Sequence, residues 1–120
     1  MYKITDLNIY ATVTIELEHK KDTDSKYFTN WDVFDCDIVE LLDGYSFEQM
    51  PSENEVKELV IDLIDEYVER IKDSYDVSQM SMCIVRKDNK SCDDLNMNDL
   101  EWGIIEDIKL ILDNYEVEQK

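Results

Sequence analysis

A chain of 120 residues with 30 acidic side chains against 12 basic ones carries a formal net charge of −18 at neutral pH. That charge works against direct binding to DNA, RNA or an anionic membrane, all polyanions, and points to a cationic partner. Hydrophobic residues still make up 43% of the chain, with seven Tyr, three Phe and two Trp, which excludes a disordered acidic tail and fits a single folded domain over residues 1–120.

The first predicted element is a long strand. Leu7, Ile9, Ala11, Val13, Ile15 and Leu17 alternate with Asn8, Tyr10, Thr12, Thr14, Glu16 and Glu18, the period of a strand with one buried face and not that of a secretory leader. The polar run 20–26 (KKDTDSK) is a loop. The stretch 31–42 (WDVFDCDIVELL) reads as a second strand, with Phe34, Cys36 and Ile38 on one face and Asp35 and Asp37 on the other. Two strands joined by a polar loop predict an antiparallel hairpin.

Asp43-Gly44 is a turn signal. Pro51 and Ser52 announce a helix over about 53–74, with Ser52 and Glu55 spaced as a capping box. Met80, Met82 and Ile84 alternate within 77–87, a third strand whose apolar face is core. Asn98, Asp99 and Glu101 open a last predicted helix over about 98–116, with Leu100, Ile104, Ile108, Ile111, Leu112 and Tyr115 on its apolar side. Trp102 and Leu110 fall off that side; they imply either extra packing or an exposed contact through which two copies would dimerise. The expected fold is α+β, in the order β-β-α-β-α. It comprises a small, mainly antiparallel three-stranded sheet with two helices packed on one face.

The charge is concentrated. Residues 31–76 hold 15 acids against three bases, whereas residues 1–30 hold five against four. On the helix of 53–74, Val56, Leu59, Val60, Leu63, Ile64, Tyr67 and Ile71 fall on one side. Glu55, Glu58, Asp62, Asp65, Glu66, Glu69 and Asp73 occupy an arc roughly 100° wide on the other. Surface helices ordinarily gain from Glu–Lys pairs four apart. Here Glu58–Asp62, Asp62–Glu66, Asp65–Glu69 and Glu69–Asp73 are like-charged pairs, each unfavourable by a few tenths of a kcal/mol. A locally unfavourable choice repeated four times suggests a use outside the fold, and Asp35 and Asp37 would extend the same acidic surface. The plainer reading is a solvated helix face and a strand edge kept soluble by charge.

Enzymatic motifs are scarce. Asp35-Cys36-Asp37 and Asp93-Asp94 have the composition of a metal-binding pair, but two-residue acidic motifs arise by chance in a chain this rich in Asp and Glu. The run 22–27 (DTDSKY) begins like a calcium loop, then places Lys26 where a ligand belongs and lacks the required Gly. His19 is the single histidine and reads as a surface residue at a strand end. Cys36, Cys83 and Cys92 form neither CxxC nor an even set, so they are expected as reduced, unreactive thiols in a cytoplasm. No apolar run approaches the roughly 20 residues of a membrane helix. The chain is expected to be a non-enzyme without metal or cofactor.

In size, charge and one-domain α+β outline the chain resembles the small acidic inhibitors that phages and mobile elements use against host defence, anti-CRISPR and antirestriction proteins among them. The resemblance rests on no specific motif and assigns no residue a role. It implies an inhibitor that imitates DNA, with helix and strand carboxylates in place of phosphates. Its partner would be a nuclease of the bacterial cytoplasm, blocked where an RNA-guided enzyme reads its PAM duplex or holds a displaced strand. The residues leave two other readings open: an acidic immunity or antitoxin-type protein that neutralises a basic toxin, and a small metalloenzyme built on Asp35 and Asp37.

Overall fold

The computed structural model describes residues 1–79, 84–88 and 95–119. The Met80–Met82 alternation, Cys83, Cys92 and Asp93-Asp94 lie outside the described residues. Four strands and two helices follow in the order β1 (Tyr2–His19), β2 (Lys26–Phe34), α1 (Asp35–Val39), α2 (Glu53–Ser74), β3 (Ile84–Arg86) and β4 (Leu100–Gln119). Single 3-10 turns occur at Glu40–Leu42, Val77–Gln79 and Met97–Asp99. The fold is α+β, with one antiparallel four-stranded sheet in the order β3-β2-β1-β4.

The chain divides into two compact units. Met1–Ala11, Val33–Arg70 and Lys109–Lys120 form the first; Thr12–Asp32 and Ile71–Ile108 form the second. Their boundaries fall inside β1, β2, α2 and β4, so these elements contribute to both.

In the first unit the core is drawn from Ile4, Leu7, Ile9 and Ala11 of β1, Val33, Ile38, Leu42, and Val56, Val60, Leu63, Ile64 and Val68 of α2. The buried positions of β1 change parity between Ile4 and Leu7, where the Asp6 carboxylate accepts the Leu7 N–H at 2.9 Å; the clean alternation predicted from Leu7 onward starts after this irregularity. Tyr2 and Phe47 exchange two backbone hydrogen bonds, of 2.7 and 2.8 Å. Gly44 turns the chain at φ 94°, a conformation that side chains resist. Helix α2 starts as its sequence dictates: the Ser52 hydroxyl oxygen accepts the Glu55 N–H at 3.2 Å, and Val56 donates to the Ser52 carbonyl at 3.0 Å.

The second unit buries Val13, Ile15, Leu17, Tyr27, Thr29, Ile71, Val77 and Leu100. Thr12 and Thr14 donate to Asp32 and Asn30 at 3.1 and 2.9 Å, marking the antiparallel neighbours of β1 and β2. β3 extends β2 through the pairs Tyr27–Arg86, Phe28–Val85 and Thr29–Ile84. His19 is half-buried. Its Nδ1 accepts the N–H groups of Lys21 and Asp22 at 3.1 and 3.0 Å, so it shapes the loop after β1. In the same loop the Ser25 hydroxyl, 2.7 Å from Asp22, leads the interactions that hold the Asp22 carboxyl below its ordinary range.

Two predicted elements change identity. The stretch 98–116 is not a helix: after the turn at Met97–Asp99, capped by the Asn96 side chain, the chain runs as β4. A spacing of four residues is close to a helical turn and is also an even number, so Leu100, Ile108 and Leu112 satisfy both periods, whereas Ile104, 62% exposed, falls out of the alternation in β4. Trp102 and Leu110, off the helical side, have the same even parity. The segment is rich in β-branched and aromatic residues, and pairing with β1 decides in favour of the strand. Trp102 is packed within the second unit, where its indole N–H donates to the Tyr75 carbonyl at 3.3 Å and its ring lies 6.1 Å from that of Trp31. The three-stranded sheet with two long helices is thus a four-stranded sheet with one long helix and one short one.

The other change is at Asp35 and Asp37. β2 ends at Phe34, and both acids sit in the first turn of α1. The Asp37 carboxylate accepts the Phe34 N–H at 3.0 Å. Acids in this position satisfy N-terminal amides and face the favourable end of the helix dipole. Residues two apart on a helix do not share a face, so the acidic strand face expected from these residues is not formed.

Gly103 lies close against β1, because a Cβ at that position would overlap the backbone carbonyl of Glu16. Gly103→Ala is expected to destabilise the protein by about 1–3 kcal/mol, and Ser52→Ala by about 1 kcal/mol through the lost cap. Urea unfolding midpoints at neutral pH measure both, and a Gly103→Ala midpoint equal to that of the parent protein would contradict the close approach.

Candidate functional site on helix α2

The apolar side of α2 fixes the direction of its polar side. Val56, Val60, Leu63 and Ile64 are 0% exposed and Val68 is 1% exposed. Rotation of the helix about its axis would bring these side chains into water, at about 1.5–3 kcal/mol for each one fully exposed. The opposite side therefore stays outward. Glu55, Glu58, Asp62, Glu66 and Glu69 are exposed, Asp65 is half-buried, and all six belong to the first unit. Asp73 is exposed and belongs to the second.

Fourteen residues separate Glu55 from Glu69, roughly 21 Å along the axis at about 1.5 Å per residue. Six carboxylates over that length give about one per 4 Å, close to the one phosphate per ~3.4 Å of axis on a single DNA strand. An ion pair on α2, Lys57–Glu53 at 3.5 Å, engages neither partner from this row. Glu55 has a local task as well, since its carboxylate accepts the Ser52 hydroxyl at 3.3 Å in the helix cap.

The electrostatic tension is visible at Asp65. Its carboxyl is pushed above its ordinary range, first by burial and then by the charges of Asp62 and Glu69. The row is thus dense enough for its members to affect one another, as phosphates do along a nucleic-acid strand.

Asp35 and Asp37 do not join this row on a common strand face. Both are half-buried at the start of α1, where Asp35 accepts the Cys36 N–H at 2.9 Å and Asp37 accepts that of Phe34. Cys36 is exposed. Among the described residues no group of three His, Cys, Asp or Glu side chains is placed to hold a metal ion. No helix among them is long and apolar enough to cross a membrane. The sequence reading missed the hydrophobic side chains on the outer face of the sheet: Tyr10, Phe34 and Ile111 are 66%, 61% and 66% exposed. Tyr10, a large side chain on the polar side of the β1 alternation, was the available signal.

The chain matches no protein-family model, no curated protein and no solved structure. The functional reading therefore rests on the residues themselves.

The sign of the Asp65 shift gives a stability test. A carboxyl whose pKa is higher in the folded than in the unfolded protein binds its proton more tightly when folded. Stability is then lost as pH rises from about 4 through the raised value. Asp65→Asn is expected to unfold at a higher temperature than the parent protein at pH 7, with the difference vanishing near pH 3. A stabilisation unchanged between the two pH values would show that charge is not its cause.

Proposed function

We propose that this protein is an inhibitor that occupies the basic nucleic-acid-binding surface of a nuclease, presenting the carboxylates of α2 where phosphates would lie. The observation that carries this reading is the combination of a helix locked by its buried side with a row of six carboxylates, five exposed and Asp65 half-buried, at nearly the axial density of DNA phosphates. A cationic groove meeting such a row exchanges its counterions for fixed charges, as it does with nucleic acid. Long-range attraction would raise the association rate and make it fall steeply with salt.

The target class is a bacterial nuclease that holds DNA or RNA in a Lys/Arg-lined channel, restriction and RNA-guided enzymes included, and the site of action is the cytoplasm of the attacked cell. The chemistry asked of the protein is binding alone. Side chains that only need to present charge require no catalytic geometry, and Asp35 and Asp37 serve the local structure of α1.

The test is capture from a bacterial lysate at low and high salt, with bound proteins identified by mass spectrometry, using the parent chain and the triple variant Glu58→Lys, Asp62→Lys, Glu66→Lys. The expected result is a basic nucleic-acid-binding protein retained at about 50 mM salt and released well below 1 M. The variant, with its circular dichroism unchanged, is expected to bind that protein at least about 100-fold more weakly, since each close interfacial charge pair contributes roughly 1.5 kcal/mol or more. Undiminished binding by the folded variant would refute the phosphate-mimic reading. Capture of a basic protein with no nucleic-acid-binding activity would instead favour the neutralisation of a cationic toxin.

A further inference from the structure

The outermost strand of the sheet presents a second surface, independent of α2. Among the described strands β4 has β1 as its one neighbour, so its other edge carries a row of backbone N–H and C=O groups available to another chain. Within the first unit this edge is 109–119. Three observations there bear on what would cover it.

The inner-facing apolar side chains of this segment are incompletely covered. Leu110 and Leu112, and, after the alternation shifts at the consecutive exposed residues Asp113 and Asn114, Tyr115 and Val117, are each only half-buried, whereas Leu7, Ile9 and Ala11 on the neighbouring β1 are buried.

On the outer face an apolar row runs up to the same edge. The Asn8 amide donates to the Asp113 carboxylate at 3.3 Å, tying β1 to β4 on that face. Two residues further along each antiparallel strand are Tyr10 and Ile111, both 66% exposed. Phe34, 61% exposed, lies on β2 two residues beyond Asp32. The row Phe34–Tyr10–Ile111 therefore crosses three strands and stops at the edge strand.

The charge on the edge selects the occupant. Segment 109–119 carries Asp113, Glu116 and Glu118, all exposed, against one base, Lys109. A second copy of the chain, laid β4 against β4, would set these acids along one seam. Directly opposed like charges are destabilising, and each copy brings its own −18. A segment with Lys or Arg at alternate positions meets attraction instead.

We propose that the free edge of β4 at 109–119 takes up an extended basic segment of a partner protein as a fifth strand. Backbone hydrogen bonds to β4 supply the affinity. The segment's apolar residues cover Leu110 and Leu112 on the inner face, and the aliphatic stems of its outward cationic residues lie over Ile111. Its cationic residues meet Asp113, Glu116 and Glu118. Strand addition to an exposed sheet edge is an established mode of peptide recognition, in which backbone bonds give affinity and alternate side chains give specificity.

The probe is a synthetic peptide of about ten residues alternating lysine and valine, long enough to pair along most of an eleven-residue strand segment at about 3.4 Å per residue. The isotopically labelled full chain is followed by NMR. Binding is expected to shift the amide signals of 109–119 and slow hydrogen exchange at those β4 amides that do not bond to β1. The same peptide with alternate backbone amides N-methylated is expected to lose at least about tenfold in affinity, and Ile111→Lys in the protein to weaken the parent peptide similarly. The triple α2 variant described above is expected to retain the β4 shifts, which separates this proposal from the phosphate-mimic reading. Shifts confined to α2, equal binding by the N-methylated peptide, or a dimer in sedimentation that protects the β4 edge without peptide would each overturn it.

Discussion

Burial of one side of helix α2 is the constraint on which the remaining features depend. Val56, Val60, Leu63 and Ile64 are withdrawn completely from water, together stabilising the fold by about 6–12 kcal/mol relative to their exposure. Opposing this are the like-charged pairs Glu58–Asp62, Asp62–Glu66 and Asp65–Glu69, together about 1 kcal/mol. The magnitudes decide the outcome: the helix holds its carboxylates outward despite their mutual repulsion. A row positioned by apolar packing keeps its geometry when salt screens its charges, so salt changes the strength of its attraction and leaves its shape intact.

The distribution of charge is consistent with this division of labour. Acids near the start of each helix have local partners: Glu55 with Ser52 in the cap of α2, Asp37 with the Phe34 amide in the first turn of α1. These acids stabilise the ends they occupy. In the middle of α2, Glu58, Asp62 and Glu66 are exposed on the outer side, and Asp65 is raised above its ordinary range by burial and by its neighbours. Helix-end acids thus account for part of the net charge through structure, while the mid-helix row asks for an explanation beyond the fold. A cationic groove supplies one, because the attraction released on docking would relieve the repulsion stored among the mid-helix carboxylates.

Much of the architecture was legible from residue pattern. The part of β1 from Leu7 onward, the extent of α2, the Ser52–Glu55 cap and the turn at Gly44 follow from alternation, helical spacing and local turn chemistry, signals that neighbouring residues carry by themselves, whereas Tyr2–Asp6 of β1 lay before the clean alternation. The failures came where a pattern was compatible with two periods or where tertiary pairing decided. Leu100, Ile108 and Leu112 suit a helix or a strand, Trp102 and Leu110 broke the helical pattern while sharing the even parity of a strand, and Ile104, expected on the apolar side, is exposed. At Asp35 and Asp37 alternation over a few residues was too short to separate a strand from a helix start, and the hydrogen bond from the Phe34 amide resolves it. The carboxylate row of α2 was legible because a helical face depends on spacing alone. The free edge of β4 was not, because edge status depends on strand order, which residue pattern does not encode.

The central claim is that the carboxylates of α2 stand where a polynucleotide would lie. The most direct measurement is competition on the captured target: the equilibrium affinity of the target for its nucleic acid, determined at rising concentrations of this protein. Phosphate mimicry requires mutual exclusion, with the apparent nucleic-acid affinity falling in proportion to added protein without a plateau, and with both ligands showing steep salt dependences. A plateau, marking a ternary complex of target, nucleic acid and this protein, would contradict it.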